Sequence, residues 1–296
     1  MNKMIKFTKK HLIIKAPAKI NLHLEIIKKR NDGFHELAMI MQSIDLADFI
    51  DIRVNMNGLL HLSTDCRDLD VNENNLIIRA AKLLKNFAKN KDLGADIFLN
   101  KNIPIGAGLA GGSSDAAATL IGLNKLWELN IDSKTIHKLA LEIGSDVPFC
   151  IDGGSQFSFG KGELLEECIL NCELAVILIK NPNESISTSD VYRKYSNKFL
   201  DFSNSKDVSL EERRNNLRNS GFPNINIFNK KLDIKNDLQK IVNEENKSVK
   251  DALNIFSQLE DVLGYSMSGS GPSCYALFEN IDIANKIYKN NIELFK

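Results

Sequence analysis

The stretch "IPIGAGLAGGSSDAAATL", Ile103 to Leu120, places four glycines within seven residues and then runs into alanines. Gly106, Gly108 and Gly111 also fit the pattern G-x-G-x-x-G. Glycine reaches positive φ and lets another group approach the backbone closely. A run of it ahead of a helix points several N–H groups into one concavity, and the helix N-terminus adds partial positive charge. Ser113 and Ser114 add hydroxyl donors. The segment therefore reads as an anion cradle, with phosphate the usual anion. The alternative is a tight turn for close helix–strand packing, with Ala116, Ala117 and Ala118 as small contact residues.

Three familiar phosphate sites do not fit. A dinucleotide fold needs a strand ending in an acidic residue about 20 residues beyond the glycines. Asp132 has that spacing, but it follows one predicted helix and precedes another. A Walker loop needs Gly-Lys-Ser/Thr, whereas Gly112 is followed directly by Ser113. A protein kinase needs a His-Arg-Asp motif, which is absent. A triphosphate here needs a cation from elsewhere in the chain. Asp115, expected in the first helical turn, suits the helix dipole but repels phosphate. A Mg²⁺ ion between them resolves the conflict; a helix-start acid is the simpler alternative. Lys19, in "APAKINLHL", stands in an apolar strand context, where an ammonium is costly to bury unless an anion meets it. Asp146, in "EIGSDVPFC", follows a helix that Gly144 ends, and Pro148 is expected to hold Val147 extended. A carboxylate in so constrained a turn can accept a proton or pair with a lysine.

Outward from these segments, strands and helices interleave without a regular β-α-β-α rhythm. His11 to Ile27 reads as two short strands or a bent one, interrupted at Pro17. Asp32-Gly33 centres a turn. Helices are expected at Glu73 to Asn90, Ser113 to Leu129 and Ser133 to Ile143, the last two starting at serines that can cap. A hairpin is expected around Gly160 and Gly162, a strand at Leu174 to Ile179, and a helix closing at Gly264 as its C′ glycine. "YSMSGSGPSCYALFE" reads as strand, glycine turn, strand. The fold class is α+β with two layers or lobes and a boundary near Phe159, giving domains 1–159 and 160–296. The polar stretch Ser196 to Pro223 reads as solvated surface.

The 296 residues carry 38 basic and 38 acidic side chains, so bulk electrostatics favours neither nucleic acid nor an anionic membrane. Five cysteines without a C-x-x-C suggest reduced thiols and a cytoplasmic protein. No apolar run reaches membrane-spanning length. His11, His23, His61 and His137 lack metal-ligand spacing. The partners expected are small molecules, and the oligomeric state is left open.

With the glycine loop, Lys19 and Asp146 assembled, the chain resembles the galactokinase–homoserine kinase–mevalonate kinase–phosphomevalonate kinase superfamily. The resemblance rests on "APAKINLHLEI", "DGFHEL" at Asp32 to Leu37, "PIGAGLAGGSSDAAATL", "GSDVPFC", "SISTSDVY" at Ser185 to Tyr192, "NDLQ" at Asn236 to Gln239 and "SMSGSGPSCYALF". "AKINL" with "DGFHEL" narrows it to members acting on a cytidine-diphosphate-linked methylerythritol in the non-mevalonate isoprenoid pathway.

The resemblance implies a two-lobed small-molecule kinase that moves the ATP γ-phosphoryl group to the substrate's 2-hydroxyl. It implies Lys19 and Asp146 as the catalytic pair. It places the ATP phosphates on Pro104, Ile105, Gly106, Ala107, Gly108, Leu109, Ala110, Gly111, Gly112, Ser113 and Ser114. Mg²⁺ would come with the phosphates, Ser114 and Asp115 being the candidate protein ligands. Phe34 and Tyr192 match positions that sandwich the cytosine, and His35 the residue that reads its edge. The family more often has Tyr at the Phe34 position, which puts a polar contact there in question. Asn21 would bond the substrate or Lys19, and Thr188 is a third substrate-side position. "SGSGPS", Ser268 to Ser273, would support the substrate and the glycine loop, or else only close the fold. "NDLQ" is expected to be structural. A mevalonate- or homoserine-type kinase, or a nucleotide binder without catalysis, remain the competing readings.

Overall fold

The structure is a computed structural model that describes residues 4–8, 10–170, 172–200, 209–220 and 231–295. The chain forms two compact units, each built from separated segments. The first draws on the chain up to Lys19, on Ser43–Ile105 and on Ala110–Gly154; the second draws on Ile20–Gln42, Gly106–Leu109 and the chain from Ser155 onward. The second unit thus resumes at Ser155, close to the boundary expected at Phe159, but it also takes two earlier segments.

The first unit contains β1 (Met4–Thr8), the leading part of β2 (His11–Lys29), the trailing part of β3 (His35–Asn55), β4 (Leu60–Thr64) and β5 (Gly94–Asn100). Its helices are α1 (Leu76–Ala88), α2 (Gly111–Leu126), α3 (Ser133–Ile143) and α4 (Val147–Asp152). β1 runs antiparallel to β2, β3 antiparallel to β5, and β4 parallel to β5. Strand alternation turns Leu12, Ile14, Ile50 and Ile52 into the core, to which α1 and α2 add the buried Leu84, Leu120 and Leu123. Gly122 makes a close approach of α2 possible. A Cβ there would lie 2.7 Å from Ile52 Cδ1 and 3.3 Å from Leu12 Cδ2, so any larger residue would force these side chains to shift.

The second unit holds the rest of β2 and β3 with β6 (Ser155–Gly160), β7 (Leu164–Glu167) and β9 (Lys235–Asn236). β8 (Ala175–Ile179), β10 (Gly264–Met267) and β11 (Cys274–Phe278) form a three-stranded sheet in the order β10-β11-β8. Its helices are α5 (Thr188–Phe199), α6 (Leu210–Arg218), α7 (Gln239–Glu245), α8 (Lys247–Gln258) and α9 (Ile281–Asn290). The expected hairpin is β6–β7, turning at Gly160 with φ 69°. "NDLQ" is a tie within this unit. Asn236 Nδ2 donates to the carbonyls of Met267 at 2.7 Å and Gly269 at 2.9 Å, and Asp237 Oδ2 accepts from Ile26 N–H at 2.8 Å.

Several local expectations need correction. β2 is one strand of 19 residues, not interrupted at Pro17. The β1 register ends at Ile14, so the missing N–H of Pro17 costs no bond to β1. Gly264 does not end a helix; α8 stops at Gln258, the chain turns at Asp261 with φ 58°, and Gly264 opens β10. Neither Ser113 nor Ser133 caps its helix. α2 starts two residues before Ser113, and the cap of α3 is Asp132, whose Oδ1 accepts from Thr135 N–H at 3.0 Å. That duty also explains the acidic residue at a dinucleotide-like spacing. Val147 is the first residue of α4 rather than extended, because Pro148 falls in the first turn, where its absent N–H would have had no helical partner. Of the polar stretch, 201–208 and 221–223 lie outside the described residues. α6 is not merely solvated. Arg213 pairs with Glu25 at 3.1 Å, Arg214 with the buried Glu36 at 3.3 Å and Arg218 with Glu166 at 2.7 Å.

Candidate active site

In the first unit the structure brings Lys19 and Asp146 together. Lys19 lies on the fully buried middle of β2, and its Nζ is 3.7 Å from Asp146 Oδ2. The anion that burial of this ammonium demanded is therefore a residue 127 positions away in sequence, by subtraction of the two numbers. Asp146 occupies the N-cap position of α4 but makes no capping bond with its side chain. Its carboxylate remains 32% exposed, so it faces the lysine without being enclosed.

Ala110 precedes α2 in the left-handed conformation, φ 55° and ψ 30°, and supplies no side-chain cap. The first N–H groups of an α-helix have no carbonyl within the helix to bond. Here no serine or aspartate side chain from the cap position takes one of them. Two oxygens of the first turns, Ser114 Oγ and Asp115 Oδ1, are buried and have no hydrogen-bond partner among the described residues. Such orphaned oxygens suit a bound polar group. A hydroxyl and a carboxylate oxygen are also the hard donors that Mg²⁺ takes one or two at a time beside phosphate. The described residues contain no cluster of three or more His, Cys, Asp or Glu able to hold a metal by itself.

Asp115 differs from expectation. It is the fifth residue of α2, not part of its first turn, and it is almost fully buried. Its Oδ2 lies 3.6 Å from Lys101 Nζ, and Lys101 also pairs closely with Asp48. Burial pushes the Asp115 carboxyl well above the usual carboxylate range; Lys101 draws it down and Asp48 drives it further up. The sequence reading missed Asp48 and Lys101. Their meeting follows from register: β3 and β5 pair Phe49 with Asn100, so the residues just beyond that pair face each other.

Within the second unit, Gly106–Leu109 lies against the other glycine turn. Gly106 has φ 61° and Gly108 φ 73°. A Cβ on Gly108 would be 2.2 Å from the Ser268 carbonyl oxygen, which only glycine permits. Ser268 Oγ donates to the Gly108 carbonyl at 3.0 Å, and Ser273 N–H donates to the Ala107 carbonyl at 3.3 Å. "SGSGPS" therefore grips the first glycine segment, beyond closing its own hairpin.

The candidate pyrimidine residues are also in the second unit. His35 opens β3, is buried, and its Nε2 is 2.5 Å from Ser196 Oγ. Ser196 in turn donates to the Tyr192 carbonyl at 2.9 Å, which leaves His35 Nε2–H as the donor to Ser196. Burial, and then the charge of Lys29, lower the His35 pKa and favour the neutral ring. The rings of His35 and Tyr192 lie 5.0 Å apart. Phe34 is 53% exposed, with Lys161 Nζ 4.7 Å from its ring centre, a neighbour not singled out from sequence. Thr188 Oγ1 is 2.8 Å from Ser270 Oγ. Asn21 is buried; its Nδ2 donates to Met39 Sδ at 3.5 Å, and its carbonyl accepts from Tyr275 OH at 2.6 Å.

Comparison with known proteins gives the family. The GHMP kinases N terminal domain matches residues 75–154, and the GHMP kinases C terminal domain matches 217–296. The fold is shared with distant enzymes: a homoserine kinase from Cytophaga hutchinsonii superposes with a TM-score of 0.69 at 17% identity, over 98% of this chain and 92% of that one. The chain belongs to the GHMP kinases. Much nearer are the 4-diphosphocytidyl-2-C-methyl-D-erythritol kinases of Prochlorococcus marinus. That of subsp. pastoris is 54% identical over 99% of this chain and 94% of its own length. That of strain MIT 9215 is 56% identical over 97% and 92%. A crystal structure of a 4-(cytidine 5′-diphospho)-2C-methyl-D-erythritol kinase superposes with a TM-score of 0.75 at 30% identity, covering 96% of both chains. Within the GHMP kinases, the chain belongs with the 4-diphosphocytidyl-2-C-methyl-D-erythritol kinases.

Proposed function

We propose that the protein transfers the γ-phosphoryl group of ATP to the 2-hydroxyl of 4-diphosphocytidyl-2-C-methyl-D-erythritol, with Lys19 and Asp146 as its catalytic pair. The observation that carries this reading is the approach of the buried Lys19 ammonium to the part-exposed Asp146 carboxylate at 3.7 Å. Asp146 orients the substrate hydroxyl and takes its proton as the oxygen bonds to the γ-phosphorus. The bond to the β–γ bridging oxygen breaks, and ADP carries that electron pair away. Lys19 offsets the negative charge on the transferring group. Phosphoryl transfer has a loose transition state, so positioning and charge stabilisation supply most of the catalysis.

The segment Pro104–Ser114 holds the polyphosphate through main-chain N–H groups, aided by the positive end of α2. Ser114 and Asp115, whose Oγ and Oδ1 have no hydrogen-bond partner among the described residues, are the residues that would meet Mg²⁺. When bound, that ion neutralises phosphate charge. Phe34 and Tyr192 hold the cytosine ring by stacking. Neutral His35, with Nε2–H committed to Ser196, presents Nδ1 as an acceptor for the cytosine amino group. Asn21 and Thr188 complete the substrate side. On this reading the segment 1–159 carries the nucleotide and catalytic residues together with Asn21, Phe34 and His35, and 160–296 adds Thr188 and Tyr192 on the substrate side. The five free cysteines support a cytoplasmic setting, and among the described residues no helix is long and apolar enough to cross a membrane.

The test offers purified protein, with ATP and Mg²⁺, the cytidine-diphosphate substrate, mevalonate and homoserine in turn, and follows ADP. Turnover with the first alone is expected. Turnover with either of the others instead would replace the substrate assignment, and none with any would remove the kinase reading.

A further inference from the structure

A buried carboxylate that the proposed reaction does not use stands at the start of the glycine segment. Asp48 is fully buried. Its Oδ1 accepts from the N–H groups of Asn102 at 2.6 Å and Ile103 at 2.8 Å. Its Oδ2 pairs closely with Lys101 Nζ. The neighbouring carbonyl of Ala47 accepts from Asn102 Nδ2 at 2.9 Å. Two adjacent residues of β3 thus fasten three consecutive residues, Lys101 to Ile103, that lead into the glycines. The fastening reaches α2 as well. Lys101 Nζ is 3.6 Å from Asp115 Oδ2, and a Cβ on Gly111 would lie 2.9 Å from the same nitrogen. The ammonium is therefore lodged against Gly111, the first residue of α2.

We infer that Asp48 is a positioning residue for nucleotide binding: with Ala47 it fixes the Lys101–Ile103 segment, and through Lys101 it sets where the N-terminus of α2 stands. This rests on reading Gly111–Ser114 as a phosphate cradle. Hydrogen bonds to a phosphate are steep in distance and angle, so a cradle hung on a loose segment loses affinity. A carboxylate receiving two main-chain donors and an ammonium is a stiff support, because charged hydrogen bonds are the stronger kind. A merely structural Asp48 would lower stability and depress both substrates' parameters alike. A positioning Asp48 acts on ATP selectively.

The experiment measures calorimetric binding of ATP and, separately, of CDP, together with KM for each substrate. Asp48→Asn keeps an oxygen for the two N–H groups, but removes the charge and turns a donor NH2 toward the Lys101 ammonium. It should weaken ATP binding roughly 10-fold, and Asp48→Ala roughly 100-fold, with CDP binding changed less than about twofold. Asn102→Ala, which removes the side-chain bonds to the Ala47 carbonyl and to Asn100 Oδ1 and lies at the surface, should weaken ATP binding about 5-fold and decides the matter if the Asp48 variants do not fold. Gly112→Asp tests the cradle itself, since a carboxylate there opposes phosphate. If Gly112→Asp leaves ATP binding intact, the cradle reading fails and this inference with it. If Gly112→Asp abolishes ATP binding while folded Asp48→Asn and Asn102→Ala bind ATP like the parent, or lose ATP and CDP equally, Asp48 has no positioning role.

Discussion

Lys19 and Lys101 are withdrawn from solvent to the same degree, each with a side chain 6% exposed, and each answers to aspartate. The partners differ. Asp48 is fully buried, saturated by two main-chain N–H groups and in close contact with its lysine. Asp146 is 32% exposed, at 3.7 Å is beyond hydrogen-bond length from its lysine, and makes no capping bond at the helix it starts. The first pair is closed and gives its charge to the fold. In the second, the Asp146 carboxylate keeps a solvent-facing side for something that arrives. Depth of burial alone would rank the two lysines as equals; what separates them is how completely the carboxylate opposite is satisfied.

The strongest way to break this contrast is chemical. Asp146→Asn should lower kcat by roughly 10²–10⁴-fold while ATP binding, read by calorimetry, stays close to the parent. An unaltered kcat would mean that the open pair is not the reacting one. Stability sharpens the contrast from the other side. Lys101→Met strands two buried carboxylates and should cost about 3–5 kcal/mol in urea unfolding. Lys19→Met leaves Asp146 with access to water and should cost less than half as much; equal losses would erase the distinction.

The difference between held and open groups recurs at Phe34 and His35. Phe34→Ala removes an exposed ring, and KM for the cytidine substrate should rise roughly 10-fold, with KM for ATP nearly constant. Equal increases would show that the ring does not serve the pyrimidine. The smallest effect concerns pH. His35 titrates below 6.5 in the folded protein because burial, then Lys29, disfavour its charged form. Its contribution to stability is complete above the unfolded value of about 6.5. Below that, the unfolded chain binds a proton the folded one refuses, so stability falls with falling pH. Urea unfolding at about pH 7 and about pH 5.5 should show a larger loss in the parent than in His35→Gln. Matching losses would contradict a buried neutral ring.

Much of this was legible in the chain before any coordinates. The reading of glycine, serine and a following helix as a cradle rests on backbone chemistry, which is local. Lys19 announced itself by sitting where a charge has no business without a partner. Asp48 and Lys101 gave no such notice. An aspartate in "LADFI" and a lysine in "NKNIP" both read as ordinary surface residues until the β3–β5 register sets them opposite each other. Caps failed for a related reason. Ser113 and Ser133 have the right chemistry, but the residue that caps is chosen by where backbone geometry starts the helix. At α2 that point is Ala110, whose methyl can donate nothing and accept nothing.

The segmental makeup of the two units has a practical corollary for anyone cutting the chain. β2 passes from one unit to the other after Lys19, β3 passes back after Gln42, and four residues of the glycine segment are lent across before the chain changes over for good at Ser155. No single peptide-bond scission can therefore release either half intact. A protease nick at a surface turn should leave an associated, still-active pair of fragments, and neither half can be expressed by truncation at one site.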